Sequence, residues 1–90
     1  MGRLLLVDDN PDLILAQISR VFAASQHEID VARTGAEGVR CVAERAPDVV
    51  LLDLRLPDQS GLEVYQQIRR LAARIPVIFV TEVRPWDRTT

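Results

Sequence analysis

Residues 47–69 read PDVVLLDLRLPDQSGLEVYQQIR. Val49–Leu52 is apolar at every position, a pattern suited to a strand covered on both faces rather than one. The run stops on Asp53, and Leu56-Pro57-Asp58 reads as a loop. Ser60-Gly61-Leu62-Glu63 has the spacing of a capping box, in which the serine hydroxyl and the glutamate carboxylate satisfy each other's backbone amides. The helix that it opens carries Leu62, Tyr65, Ile68, Leu71 and Ala72 along one side. Strand, acidic strand end, loop and helix therefore follow one another within a single stretch.

The same grammar extends in both directions. Upstream, Arg3–Val7 is a strand-like run that stops at Asp8-Asp9, and Asn10-Pro11 is an N-cap with proline at the first helical position. Ile14, Ile18, Val21 and Phe22 then recur at helical spacing. Ser25–His27 reads as a loop, and Glu28–Ala32 as a second, weaker strand. Thr34-Gly35-Ala36-Glu37 has capping-box spacing again, ahead of a helix whose apolar side is Val39, Val42, Ala43 and Ala46; Pro47 ends it. Downstream, Pro76 breaks the third helix and Val77–Val80 forms a fourth apolar run ending at Thr81; Glu82–Thr90 has no clear period. Strands separated by single helices imply parallel pairing with right-handed crossovers, an α/β architecture.

Composition narrows the function classes. Ninety residues make one small domain. The 11 basic residues, all arginine, face 13 acidic ones for a net charge of −2, which argues against a nucleic-acid arm or a polybasic membrane patch. Apolar residues at 48 % are too many for a disordered tail. The apolar runs fall well short of the ~18 residues of a membrane span, and the start of the chain does not read as a signal peptide. One cysteine, Cys41, forms neither an internal disulfide nor a cysteine metal cage, so the expected setting is reducing and cytoplasmic.

The chemistry-bearing residues lie at strand ends. In an open parallel sheet, ligands bind beyond the carboxyl ends of the strands. Those ends hold Asp8 and Asp9, Asp53, and Thr81. With the first and third strands adjacent, three carboxylates converge; like charges that close repel unless a cation intervenes. Carboxylates, a backbone carbonyl and waters are the ligands that Mg²⁺ favours. Any one of these aspartates alone reads first as a helix cap or turn residue; it is four such positions in register at three strand ends that point to a site.

At this point the sequence resembles the receiver domain of two-component response regulators. The matching stretches are LLLVDDNPD at 4–12, residues 47–69 quoted above, and IPVIFVT at 75–81. The resemblance implies a flavodoxin-like, doubly wound parallel sheet with strand order 2-1-3-4 and three helices. It implies that Asp53 is the phosphoacceptor, that Asp8, Asp9, Asp53 and the backbone carbonyl of Arg55 hold Mg²⁺, and that Thr81 is the switch hydroxyl sensing the phosphoryl group. The implied donor is a phosphohistidine on a sensor histidine kinase, and the implied role is a signalling component, not a metabolic enzyme, acting on an effector domain or protein.

The chain also departs from the family pattern. The family fold has five strands and five helices, with a lysine closing the fifth strand; this sequence has no lysine and reads as a receiver truncated after the fourth strand. Residues 1–81 would then be the domain and 82–90 a tail or cut end. Glu82 follows Thr81 where the family has a small residue. An open fourth strand and an uncovered sheet face favour self-association. Two other functions compete: a phosphorylation-incompetent docking or dimerisation module, and an aspartate-nucleophile phosphatase. The second aspartate of that phosphatase class falls at Arg55 here, which argues against it. His27 reads as a surface loop residue, Cys41 as helix packing, Arg69-Arg70 and Arg74 as a solvated helix face, Tyr65 as packing, and Trp86 as part of a loose segment.

Overall fold

The computed structural model describes residues 2–22 and 27–80, leaving aside the side chains at 21 and 22. Four strands, β1 (Arg3–Val7), β2 (Glu28–Ala32), β3 (Val49–Asp53) and β4 (Val77–Val80), form one parallel sheet in the order β2-β1-β3-β4. Three helices connect them: α1 (Asp12–Phe22), α2 (Gly35–Glu44) and α3 (Gly61–Leu71). The chain steps one way from β1 to β2 and the other way from β2 to β3 and on to β4. Right-handed crossovers therefore put α1 on one face and α2 and α3 on the other.

Register explains the core. Leu5 pairs with Val50 and Val7 with Leu52, so these four side chains share the face that α2 and α3 cover. They form one buried cluster with Ala32, Val42, Val64 and Ile68. Leu4 and Leu6 are buried on the α1 face. β3 is only partly covered on both sides: Val50 and Leu52 are buried, whereas Val49 and Leu51 are half-buried. On β4, Ile78 is 54 % and Phe79 38 % exposed, the partly bare surface expected of a strand paired on one side among the described residues.

The helix starts follow the local chemistry. Leu15 N–H donates to the Pro11 carbonyl at 2.8 Å, so proline stands at the entrance of α1. Thr34 Oγ1 accepts from Glu37 N–H at 3.1 Å, capping α2. Of the two boxes, Ser60 makes the full one: its hydroxyl accepts from Glu63 N–H at 3.2 Å, and Glu63 accepts from Ser60 N–H at 3.0 Å.

Two apolar faces differ from the sequence expectation. On α3 the buried line is Gly61, Val64 and Ile68, while Leu62 and Leu71 are 59 % and 53 % exposed. Val64 and Ile68 are one turn apart and both meet the sheet, which turns Leu62 outward and leaves Leu71 in the last turn. On α2 the buried positions are Gly35, Gly38 and Val42, while Ala43 is exposed and Ala46 lies beyond the Arg45 C-cap. Small residues let this helix sit close to the sheet, a signal that apolar periodicity does not carry. No helix among the described residues is long and apolar enough to cross a membrane.

Candidate functional site

β1 and β3 are neighbours, and Val7 pairs with Leu52, so the residues that follow them leave the sheet side by side. Asp8 N–H donates to the Ala32 carbonyl at 2.9 Å, which carries the ladder one residue beyond β1 and fixes Asp8 at the rim. Asp53 is the last residue of β3. Carboxylate oxygens of Asp8, Asp9 and Asp53 all lie within 4.8 Å of one another. The sequence expectation that these three converge therefore holds in the structure.

Their surroundings differ. Asp8 is the buried member, Asp53 is half-buried and Asp9 is exposed. Asp8 Oδ1 accepts from Asn10 N–H at 3.0 Å, a turn that leads the chain into α1. Burial pushes the Asp8 carboxyl above its ordinary value; the Asn10 amide opposes this, and the charges of Asp53 and then Asp9 add to the rise. Asp53 Oδ1 accepts from Arg55 N–H at 3.2 Å, which restrains the rotation of that carboxylate. Asp8 and Asp53 thus also do the turn work that aspartate does at strand ends, in addition to joining the cluster.

The β3–α3 loop is held from both of its ends. Arg55 and Ser60 pair as an antiparallel bridge, and Gly61 N–H donates to the Leu54 carbonyl at 2.9 Å. Gly61 is the residue that permits this: any Cβ there would collide with the Asp53 carbonyl and lie 2.8 Å from Leu54 Cα. The two ends of the loop touch where Asp53 leaves the sheet.

Hard oxygen donors in this arrangement suit a small divalent cation. Oxygens about 2.1 Å from an octahedral ion lie about 3 Å apart when adjacent and about 4.2 Å when opposite. A cluster spanning 4.8 Å reaches that spacing with small side-chain adjustments. Among the described residues no arginine forms an ion pair with Asp8, Asp9 or Asp53, so the three negative charges lack compensation from the chain's own cations there.

Thr81, Glu82 and Trp86 lie outside the described residues, as does the expected tail. His27 is exposed ahead of β2, and Cys41 is half-buried in α2 beside the core, where burial raises its thiol pKa. Tyr65 is half-buried, its ring 5.6 Å from that of Phe79. Arg69 is not simply solvated: its guanidinium sits 4.8 Å from the Tyr65 ring centre and donates to the Tyr65 hydroxyl and to the Ala72 and Ile75 carbonyls. It closes the turn between α3 and β4. Asp58 is the other residue whose part the sequence hides. Its carboxylate accepts from Gly35 N–H at 2.8 Å and Ala36 N–H at 3.0 Å, more than twenty residues away, so no local spacing reveals it.

Comparison with known proteins agrees with this geometry. A family model described as the response regulator receiver domain matches residues 4–88. The regulatory protein AtoC of Escherichia coli K12 is 35 % identical over 81 residues, which is 90 % of this chain and 17 % of that protein. The transcriptional regulatory protein DltR of Streptococcus agalactiae serotype III is 35 % identical over 88 % of this chain and 35 % of its own length. The chain thus spans about a third or less of these relatives. Among solved structures, a CheY-like receiver domain protein from Methanospirillum hungatei superposes with a TM-score of 0.80 at 26 % identity, covering 97 % of this chain and 69 % of that one. Sheet order, acidic strand ends and matched sequence all point the same way: the chain belongs to the response regulator receiver domain family.

Proposed function

We propose that this receiver module accepts a phosphoryl group on Asp53 from the phosphohistidine of a sensor histidine kinase, in a Mg²⁺-dependent reaction that controls an effector domain or protein. The observation that carries the reading is the convergence of the Asp8, Asp9 and Asp53 carboxylates at the ends of β1 and β3. A carboxylate oxygen of Asp53 attacks phosphorus; the O–P bond forms as the N–P bond breaks, and the leaving imidazole keeps the electron pair and takes a proton. The Arg55 amide holds the Asp53 carboxylate in place for that attack. Mg²⁺, bound by Asp8, Asp9, Asp53 and the Arg55 carbonyl, would supply the positive charge that offsets the carboxylates and phosphoryl oxygens. Asp8 contributes a charge that its burial makes costly when no cation is near. Thr81 is the proposed switch hydroxyl contacting the phosphoryl group. Hydrolysis by water returns the carboxylate and releases inorganic phosphate, which makes the module a timed signal rather than a metabolic enzyme. Residues 1–81 are the proposed unit of this activity, in the cytoplasm.

The test is intact mass after incubation with acetyl phosphate, with and without Mg²⁺, beside Asp53→Ala. One Mg²⁺-dependent phosphoryl group, lost in the variant, supports the reading. No adduct on a chain that circular dichroism shows to be folded overturns it.

A second reading, a docking or dimerisation module that no longer takes phosphate, draws on the exposed Ile78 and Phe79 of β4. Concentration-dependent dimers that form equally in wild type and Asp53→Ala would favour it.

A further inference from the structure

We propose that Asp58 is a positioning residue for the Asp53 site, a role that rests on the phosphoacceptor reading above. Asp58 stands at the tip of the β3–α3 loop, five residues beyond Asp53, and its two carboxylate oxygens accept separately from Gly35 N–H at 2.8 Å and Ala36 N–H at 3.0 Å. Those are the first amides of α2, which have no partner inside the helix and stand at the positive end of its dipole. The bonds hold the carboxyl below its ordinary value, the Gly35 amide contributing most. They are the long-range tether of the loop tip; the Arg55–Ser60 bridge and the Gly61–Leu54 bond only close the loop on itself.

The tether matters because of what α2 rests on. Gly38 lies against the side chain of Val7, so closely that an added Cβ would come within 2.9 Å of it. Val7 is the residue before Asp8. One helix therefore touches the strand that delivers Asp8 and, through Asp58, the loop that follows Asp53 and contains Arg55. Both halves of the acidic site take their position from α2. Gln59, next to Asp58, accepts from Gln67 of α3 at 2.6 Å, which anchors the same loop to the second helix. Cutting the Asp58 tether leaves the loop held to α3 but no longer to α2, which loosens the Arg55 amide and carbonyl relative to Asp8 and Asp9.

The experiment separates positioning from mere capping of α2. Asp58→Ala, Asp58→Asn and Thr34→Ala are compared with wild type for phosphorylation rate with acetyl phosphate, the Mg²⁺ concentration for half-maximal rate, melting temperature, and amide exchange at Arg55 and Gly61 by NMR. Thr34→Ala removes the other cap of the same helix end, which serves Glu37 N–H, and leaves both Asp58 bonds intact. We expect Asp58→Ala to slow phosphorylation on the order of tenfold, raise the Mg²⁺ requirement and speed exchange at Gly61. Asp58→Asn, with one acceptor oxygen left, falls between. Thr34→Ala lowers the melting temperature but leaves rate, Mg²⁺ requirement and loop exchange at wild-type values. Wild-type rates in Asp58→Ala, or an equal slowing in Thr34→Ala at matched folded fraction, overturn the proposal. If Asp58→Ala does not fold, Asp58→Asn decides by the same readouts. A folded wild type that gains no phosphoryl group overturns the phosphoacceptor reading and this role with it; that failure shows in the wild-type arm alone.

Discussion

The two ends of the sheet carry the same kind of residue under opposite conditions. At the amino ends of the strands, Glu28, Asp30 and Asp48 gather around Arg3. Its guanidinium lies 3.2 Å from Glu28 and 2.9 Å from Asp30, and its backbone N–H donates to Asp48 at 2.7 Å. Arg45 adds a second cation 3.6 Å from Asp30. At the carboxyl ends, Asp8, Asp9 and Asp53 bring carboxylate oxygens within 4.8 Å of one another, with no such partner among the described residues. Both ends hang from the same core, so packing does not explain the difference. One end is compensated by the chain's own charges and serves stability. The other has no such compensation from the chain among the described residues, which is the electrostatic condition that the proposed cation binding would relieve.

The sharpest way to break that contrast is to supply the missing charge. Mg²⁺ at ten times its dissociation constant stabilises a folded binding site by about 1.4 kcal/mol, a rise of roughly 5–10 °C for a chain this short. Asp8→Asn removes one ligand charge and the buried carboxylate together. It should melt higher than wild type without Mg²⁺ and lose most of the Mg²⁺ response. Arg3→Ala, at the compensated end, should keep the full response. A Mg²⁺-induced shift of the same size in Asp8→Asn and wild type would place the ion elsewhere.

The second effect is smaller and opposite in sign. Arg3→Ala leaves Glu28, Asp30 and Asp48 facing one another, so its melting temperature should fall where that of Asp8→Asn rises. Raising the salt concentration should shrink the deficit, because these pairs are partly exposed and screened. Thermal unfolding of the two variants at low and high salt reads both signs. A stabilising Arg3→Ala would erase the distinction between the ends.

The strands and the acidic end of the sheet were legible in the sequence, for reasons that are local; the compensation around Arg3 was not, because its partners lie 25 or more residues away. The strands at Arg3–Val7, Glu28–Ala32 and Val77–Val80 are each followed by a polar residue, and the Ser60 box names its own helix start, so these elements need only neighbours in the chain to be read. Asp8, Asp9 and Asp53 were legible as a site because parallel strands deliver their ends to one rim. What stayed hidden depends on residues distant in sequence. Val64 rather than Leu62 faces the core because of where α3 lands on the sheet, which its own periodicity leaves open. Arg69 reaches the Ile75 carbonyl across the turn that leads into β4, a partner that the helical period of α3 does not name. Asp58 reads as one more loop aspartate until α2 stands opposite it.

The smallest effect isolates a single carboxyl. Asp8 is pushed upward first by burial and then by the charges of Asp53 and Asp9, with the Asn10 amide pulling the other way. The folded chain therefore holds this proton to higher pH than the unfolded chain does. The stability that Asp8 contributes is fully present below its unfolded value and is lost as pH rises through the folded one. Asp58, held low by the Gly35 amide, has the opposite sign: its contribution is present above its unfolded value and is lost on acidification. A bare melting curve against pH mixes the two. The difference between wild type and Asp8→Asn does not, because Asp58 and the Arg3 cluster are common to both. Without metal, that difference should move steadily against wild type from the ordinary carboxylate range towards neutrality, then level off. With saturating Mg²⁺ the trend should flatten or reverse, since cation binding favours the deprotonated carboxylate. A difference that stays constant with pH in the absence of metal would mean that the Asp8 carboxyl titrates alike in the folded and unfolded chains, and that this end of the sheet is as well compensated as the other.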